Sequence, residues 1–162
     1  MIRQIIIWPD KRLTQLAEPV TEFNDELKQL ADDLVETMVA CDGKGLAATQ
    51  VGVMKSVIVV SMDNKPTVFV NPAYSSEKGE KQTLQEGCLS VPNVFERIER
   101  LTDVRVIAQD VLGNDMPPMY LKGYDAVAVQ HECDHLEGKM FTDYISSLKR
   151  SLIKSKMKKY KR

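Results

Sequence analysis

The sequence predicts an α+β fold, and three observations lead to that class. Apolar residues recur at helical spacing in separated segments, short β-rich runs fall between them, and the two do not alternate in the regular β-α-β order of a parallel sheet. With 162 residues, 43% hydrophobic and 28% charged, the chain has the size of one domain and can bury a real core. That composition excludes disorder, and 8 Gly with 7 Pro are too few for a collagen or a low-complexity linker. The longest apolar runs, such as Ile5-Ile6-Ile7-Trp8, fall far short of the roughly 20 residues of a membrane helix.

Residues 2–8 are apolar and β-rich and read as a strand ending at the turn signal Trp8-Pro9-Asp10. Residues 24–41 predict an amphipathic helix, capped by Asn24 or Asp25, with Leu27, Leu30, Leu34 and Met38 at three- and four-residue steps. It stops at Asp42-Gly43-Lys44-Gly45, where glycine opens backbone angles closed to other residues. Ser56 to Met62 reads as a strand, Asp63-Asn64-Lys65-Pro66 as a turn, and Thr67 to Val70 as the next strand. From Asp103 to Gln109, Val104, Val106 and Ala108 alternate with Asp103, Arg105 and Ile107, and Leu112-Gly113-Asn114-Asp115 follows as a turn. A helix is expected from Asp125 to Leu136. A second amphipathic one is expected from Ser146 onward, with Leu148, Leu152, Ile153, Met157 and Tyr160 on one side.

Charge is unevenly placed. The net charge is −1, which ordinarily argues against a nucleic-acid partner, yet residues 149–162 hold eight Lys or Arg and no acid. Residues 1–148 therefore carry −9, and the expected organisation is one catalytic domain over 1–148 with a basic helical extension over 149–162. Three cysteines, Cys41, Cys88 and Cys133, fit a reducing compartment better than a disulfide framework, and no secretory leader pattern is present in the residues given.

The two histidines, His131 and His135, stand four residues apart in His131-Glu132-Cys133-Asp134-His135, a His-Glu-x-x-His pattern. At about 100° per residue, both imidazoles of such a helix reach one ion, while Glu132 leans over the site without ligating. There it can take a proton from water and return it to a leaving group. A catalytic zinc-type site needs a third protein ligand. Phe141 occupies the place of a metzincin's third His, and no acid follows Asp143 to serve as a thermolysin-type Glu. Cys133 faces away from both histidines and Cys41 sits beside Asp42, so elimination leaves Cys88, in Glu86-Gly87-Cys88-Leu89-Ser90, as the best candidate. Val127 and Ala128 lie one turn ahead of His131 and can line an apolar pocket; Glu86 can orient a nearby catalytic group through a hydrogen bond.

Three segments then resemble the peptide deformylases, in the order that family uses. They are Gly43-Lys44-Gly45-Leu46-Ala47-Ala48-Thr49-Gln50, Glu86-Gly87-Cys88-Leu89-Ser90, and Gln130-His131-Glu132-Cys133-Asp134-His135; Pro9-Asp10-Lys11-Arg12-Leu13 is similar to the family's opening. The resemblance implies mixed or antiparallel sheets packed around a central helix that carries His-Glu-x-x-His. It implies a divalent metal on Cys88, His131 and His135, iron(II) in the native enzyme, with zinc, nickel or cobalt as alternatives. Glu132 would be the general base and acid, and the Gln50 amide with the Leu89 backbone N–H would stabilise the oxyanion. Gly43, Gly45, Glu86, Val127 and Ala128 make up the expected substrate side. The implied reaction removes the N-formyl group from the initiator methionine of nascent polypeptides in a bacterial cytoplasm or a processed organellar form. The basic tail is then expected to dock on ribosomal RNA. One residue departs from the family pattern: Lys44 stands where an apolar residue usually borders the methionine pocket, and a weaker form of the same concern attaches to Phe95, in the expected loop after the second motif. The rival readings are another metallohydrolase, such as a peptidase, and a non-catalytic RNA-associated protein with a structural metal.

Overall fold

The computed structural model describes residues 1–160. Its centre is a five-stranded, wholly antiparallel sheet made of β1 (Gly45–Ala47), β2 (Val57–Met62), β3 (Lys65–Ser75), β6 (Asp103–Gln109) and β7 (Met119–Lys122), in that spatial order. β4 (Lys81–Cys88) and β5 (Val91–Leu101) form a separate hairpin. α1 (Asp25–Ala40) covers one face of the large sheet and α2 (Gly123–Leu136) the other.

β2 shows why the sheet is buried on both sides. Val57 and Val59 join Leu27, Leu30, Leu34 and Met38 of α1 in one cluster. Ile58, Val60 and Met62 meet Ala126, Ala128 and Val129 of α2 in another. A strand with two apolar faces reads as a continuous apolar run, as 57–60 does. α1 follows its sequence signals closely: Asn24 caps it by accepting a hydrogen bond from Leu27 N at 3.1 Å, with Asp25 and Glu26 in the first turn. The Asp63-Asn64 pair alone makes the β2–β3 turn, both residues at positive φ. Lys65 and Pro66, expected in the turn, already pair with Met62 and Ser61.

Residues 2–8 are extended but form no strand. Ile6 N donates to Gln50 O at 2.8 Å and Trp8 N to Ser90 O at 2.9 Å, so the segment ties two elements together at single points rather than joining a ladder. The β4–β5 hairpin, β1 and β7 carry no clear sequence signal. β4 is dominated by charged and polar residues, β5 interleaves apolar residues with Glu and Arg without strict alternation, and β1 and β7 span three and four residues.

α3 (Ser147–Met157) begins at Ser146, whose hydroxyl accepts from Lys149 N. Ile153 and Met157 are buried in a third core with Ile6, Trp8, Val94, Ile98 and Phe141. Leu148 and Leu152, expected on the same side, are 69% and 56% exposed, because the buried stripe is narrower than the apolar pattern implies. Lys161 and Arg162 of the basic tail lie outside the described residues. No helix among the described residues is long and apolar enough to cross a membrane.

α2 starts directly from β7, where Gly123 at φ +56° turns the chain from strand to helix two residues before the expected Asp125. It ends in a Schellman motif: Gly138 N donates to His135 O and Lys139 N to Asp134 O, with Gly138 at φ +74°. A Cβ on Gly138 would also collide with the carbonyl of Thr14. Gly138→Ala is therefore expected to lower stability by at least about 2 kcal/mol, read as a lower urea midpoint with unchanged slope.

Candidate metal centre

α2 is buried almost all round, with every residue from Ala126 to Leu136 except Cys133 inside. A helix so placed presents polar side chains to the protein, and they need partners there. His131 and His135 point one way, and the β4–β5 hairpin brings Cys88 against them. Cys88 is the last residue of β4, beside a register shift in the ladder and before the Leu89-Ser90 turn. Its Sγ lies 3.4 Å from His135 Nε2, which lies 3.3 Å from His131 Nε2. The three donor atoms all fall within 4.8 Å of one another, the one such His/Cys/acid group among the described residues.

These spacings fit an ion. Tetrahedral coordination at ordinary zinc–sulfur and zinc–nitrogen lengths puts ligand atoms roughly 3.3–3.6 Å apart. Burial, with His131 and Arg100 nearby, holds His135 well below the usual histidine range and so neutral, the form that ligates. Cys133 is poorly suited. It packs against the core beneath α2, and burial pushes its thiol up to about 12.

His131 is oriented from behind. Its Nδ1 is 2.8 Å from Glu86 Oε1, which leaves Nε2 toward Cys88 and His135. Glu86 also takes Arg100 Nε at 2.8 Å and Nη2 at 3.0 Å. Arg100 Nη1 reaches Asp134 Oδ2 at 2.5 Å, Tyr144 OH donates to the same oxygen at 2.8 Å, and the guanidinium lies 5.2 Å from the Tyr144 ring centre. Burial works to raise Glu86, but the hydrogen bonds from His131 and Arg100 hold it below the usual carboxylate range. Both Glu86 oxygens are thus committed. Although it borders the cavity, it positions His131 rather than offering a free group to substrate. Arg100, Asp134 and Tyr144 escape a motif search, since their partners meet only once the hairpin lies on α2. Gln130 is similar: its amide accepts from Leu101 N and donates to Leu101 O, fastening α2 to the end of β5.

Glu132 projects beside the ligands, its Oε1 3.7 Å from His131 Nε2 and its Oε2 buried without a partner. Burial is the main cause that pushes its carboxyl up to about 7. Gln50 is buried in the short 3₁₀ turn after β1, its Oε1 taken by Ala47 N at 2.9 Å. That fixes the amide so that Nε2 faces Ser90 Oγ at 3.0 Å and Cys88 Sγ at 3.6 Å.

Above the centre is a cavity of about 590 Å³. Lys44, Gly45, Cys88, Leu89, Val127, Ala128 and Glu132 all border it, as do Cys41 and Asp42 at the end of α1. The glycines allow close approach. A Cβ on Gly45 would lie 2.9 Å from Glu132 Cγ, and one on Gly43 2.7 Å from Leu89. Phe95 lies on β5 rather than in a loop, packed over Gly87 and 63% exposed at the rim.

Removing Arg100 leaves Glu86 and Asp134 buried and unpaired. Arg100→Met is expected to cost about 3–5 kcal/mol in a denaturant titration and to lower metal retention on dialysis more than a surface Arg→Met control does.

The polypeptide deformylase family model matches residues 2–151. The peptide deformylase of Azotobacter vinelandii is 44% identical over 99% of this chain and 97% of its own length. Peptide deformylase 1 of Pseudomonas syringae pv. tomato is 46% identical over 98% and 95%. Among solved structures, the Ehrlichia chaffeensis peptide deformylase in complex with actinonin superposes with a TM-score of 0.94 at 38% identity, covering 99% of this chain and 98% of that one. The Legionella pneumophila enzyme gives 0.92 at 37%, covering 99% and 95%. On matches of this length and identity, the chain belongs to the polypeptide deformylase family.

Proposed function

We propose that Cys88, His131 and His135 hold one divalent metal ion, and that Glu132, Gln50 and the Leu89 backbone N–H work beside it. The reaction is that of the family, hydrolysis of the N-formyl group from the formyl-methionine of nascent polypeptides with release of formate. One observation carries the assignment: one sulfur and two imidazole donors converge at ligand spacing next to a buried carboxylate that has a free oxygen. When bound, the ion would acidify and orient the attacking water and polarise the formyl carbonyl.

The remaining chemistry belongs to the chain. A carboxyl pushed to about 7 can accept a proton and give it back near neutral pH, which amide hydrolysis requires of Glu132 when the amine departs. The Gln50 amide is held by Ala47 N, so its N–H group is already aimed when charge develops on the formyl oxygen; losing one such donor typically slows a reaction about 10²–10³-fold. Leu89, in the turn after Cys88, supports a second donor from its backbone. Val127 and Ala128 give the cavity an apolar floor suited to a methionine side chain, Gly45 lets the peptide backbone pass close to β1, and Gly43 makes room for the Leu89 side chain. Soft thiolate with two imidazoles suits iron(II), zinc, nickel or cobalt, and we assign iron(II) as the native ion. Free cysteines and bacterial relatives support a cytoplasmic setting.

Glu132→Ala is expected to retain metal by elemental analysis and to lose formate release from a formyl-Met peptide by at least about 10³-fold. Anaerobically prepared, iron-loaded protein should release formate from formyl-Met peptides and leave unformylated peptides uncut. Peptide-bond cleavage would move the chain to the rival peptidase reading, and loss of metal in Glu132→Ala would remove Glu132 from its catalytic role.

The outward side of α3 supports the ribosome as docking partner. Lys154, Lys156 and Lys158 are exposed beside Leu148 and Leu152, while Ile153 and Met157 hold the helix to the body. Truncation at 149 would strip residues from a core, so charge reversal is the cleaner test. Changing these three lysines to Glu should weaken ribosome co-sedimentation at physiological salt and flatten its salt dependence, with formate release from a short peptide kept.

A further inference from the structure

Besides the β4–β5 hairpin, two elements far apart in sequence wall the cavity over the metal centre. One wall is the chain entering β1 at Lys44 and Gly45; the other is the start of α2 at Tyr124, Val127 and Ala128. β1 is an edge strand, hydrogen-bonded only to β2, and it packs on α2 at Gly45, against Glu132. One side chain ties the residue before it to the first turn of the helix. Lys44 Nζ lies 2.6 Å from Asp125 Oδ1, in the first turn of α2, and 2.5 Å from the Ser61 carbonyl oxygen of β2. Lys44 borders the cavity, Asp125 follows the lining residue Tyr124, and the two side chains are 45% and 35% exposed.

We propose that Lys44 and Asp125 act as one unit, an ionic cross-link over the cavity mouth that sets its width and so the size of side chain the cavity admits. A pair this exposed adds little to folding stability. Its effect falls instead on geometry, because it joins the two walls just where a side chain must pass between them. Lys44 is also held by Ser61, so the ammonium is located on the sheet side before Asp125 meets it, and the span is defined at both ends. The proposal rests on the deformylase reading of the cavity and adds to it a determinant of which N-terminal residue is accepted.

The test compares metal-loaded wild type, Lys44→Met, Asp125→Asn and the double variant. Each is assayed on a formyl-Met peptide and on the same peptide with the bulkier formyl-Phe. The ratio of the two kcat/KM values, taken on one preparation, cancels differences in metal loading. Wild type is expected to favour formyl-Met, and each single variant to reduce that preference about threefold to tenfold, mainly through KM for the bulkier peptide. The double variant should change no more than either single one, because both break the same link. High salt should lower the wild-type ratio toward that of the variants and leave theirs unmoved. An unchanged ratio in either single variant, or effects that multiply in the double variant, overturns the proposal. Absence of formate from both peptides with wild type overturns the functional reading, and the cross-link's role with it.

Discussion

Arg100 is the charge around which this site is arranged. It is buried, it comes from β5, and it bridges carboxylates from β4 and from α2, with a tyrosine from the following 3₁₀ turn closing the fourth side. A guanidinium removed from water is tolerable only when its donors are satisfied, and here two acids and a ring supply that. The same bonds dictate where Glu86 stands, hence which nitrogen of His131 faces Cys88 and His135. The geometry of the Cys88–His131–His135 group is thus inherited from an ion network one layer behind it. The hairpin cannot slide on α2 without separating these charges in a medium that screens them poorly.

The rest of the fold makes α2 a fixed platform. Its apolar side is clamped on the large sheet by Ala126, Ala128 and Val129, its end is stopped by Gly138 against Thr14, and Gln130 fastens it to β5. Two histidines four residues apart are only as well placed as the helix that bears them, and little in these contacts lets this helix turn or shift. Gln50 is held in the same spirit, since its carbonyl oxygen is spent on Ala47 and its amide is left with one direction to face.

Much of this was legible in the chain itself, and the reasons differ by element. α1 and β6 carry clean periodicity because each has one wet face, so burial writes a pattern of period 3.6 or 2. The His-Glu-x-x-His helix was readable from chemistry rather than pattern, because two histidines at that spacing need explaining. The β4–β5 hairpin was not readable: Gln85, Glu96, Arg97 and Glu99 look like a solvated loop, and only the fold reveals that Glu86 and Arg100 in their midst are inside. Residues 2–8 misled in the opposite direction. Their apolar content reflects docking into a core, with two isolated backbone bonds, and a strand forms only where a neighbouring ladder is offered. Leu148 and Leu152 show that apolar content alone does not determine which side of a helix is covered.

The two bonds made by that early segment have a bearing on how the molecule comes to exist. Ile6 and Trp8 hydrogen-bond to the carbonyls of Gln50 and Ser90, residues that sit beside the Cys88–His131–His135 group and are made much later in synthesis. Residues 2–8 are made before those segments and cannot settle until both of them, and the Phe141 and Ile153 that share their core, have been added. Assembly of the site must then wait for nearly the whole chain, as expected where contacts join distant parts of a sequence. The segment made early thus acts as a late lock, closing over Gln50 and Ser90 only when the residues that share its core are in place.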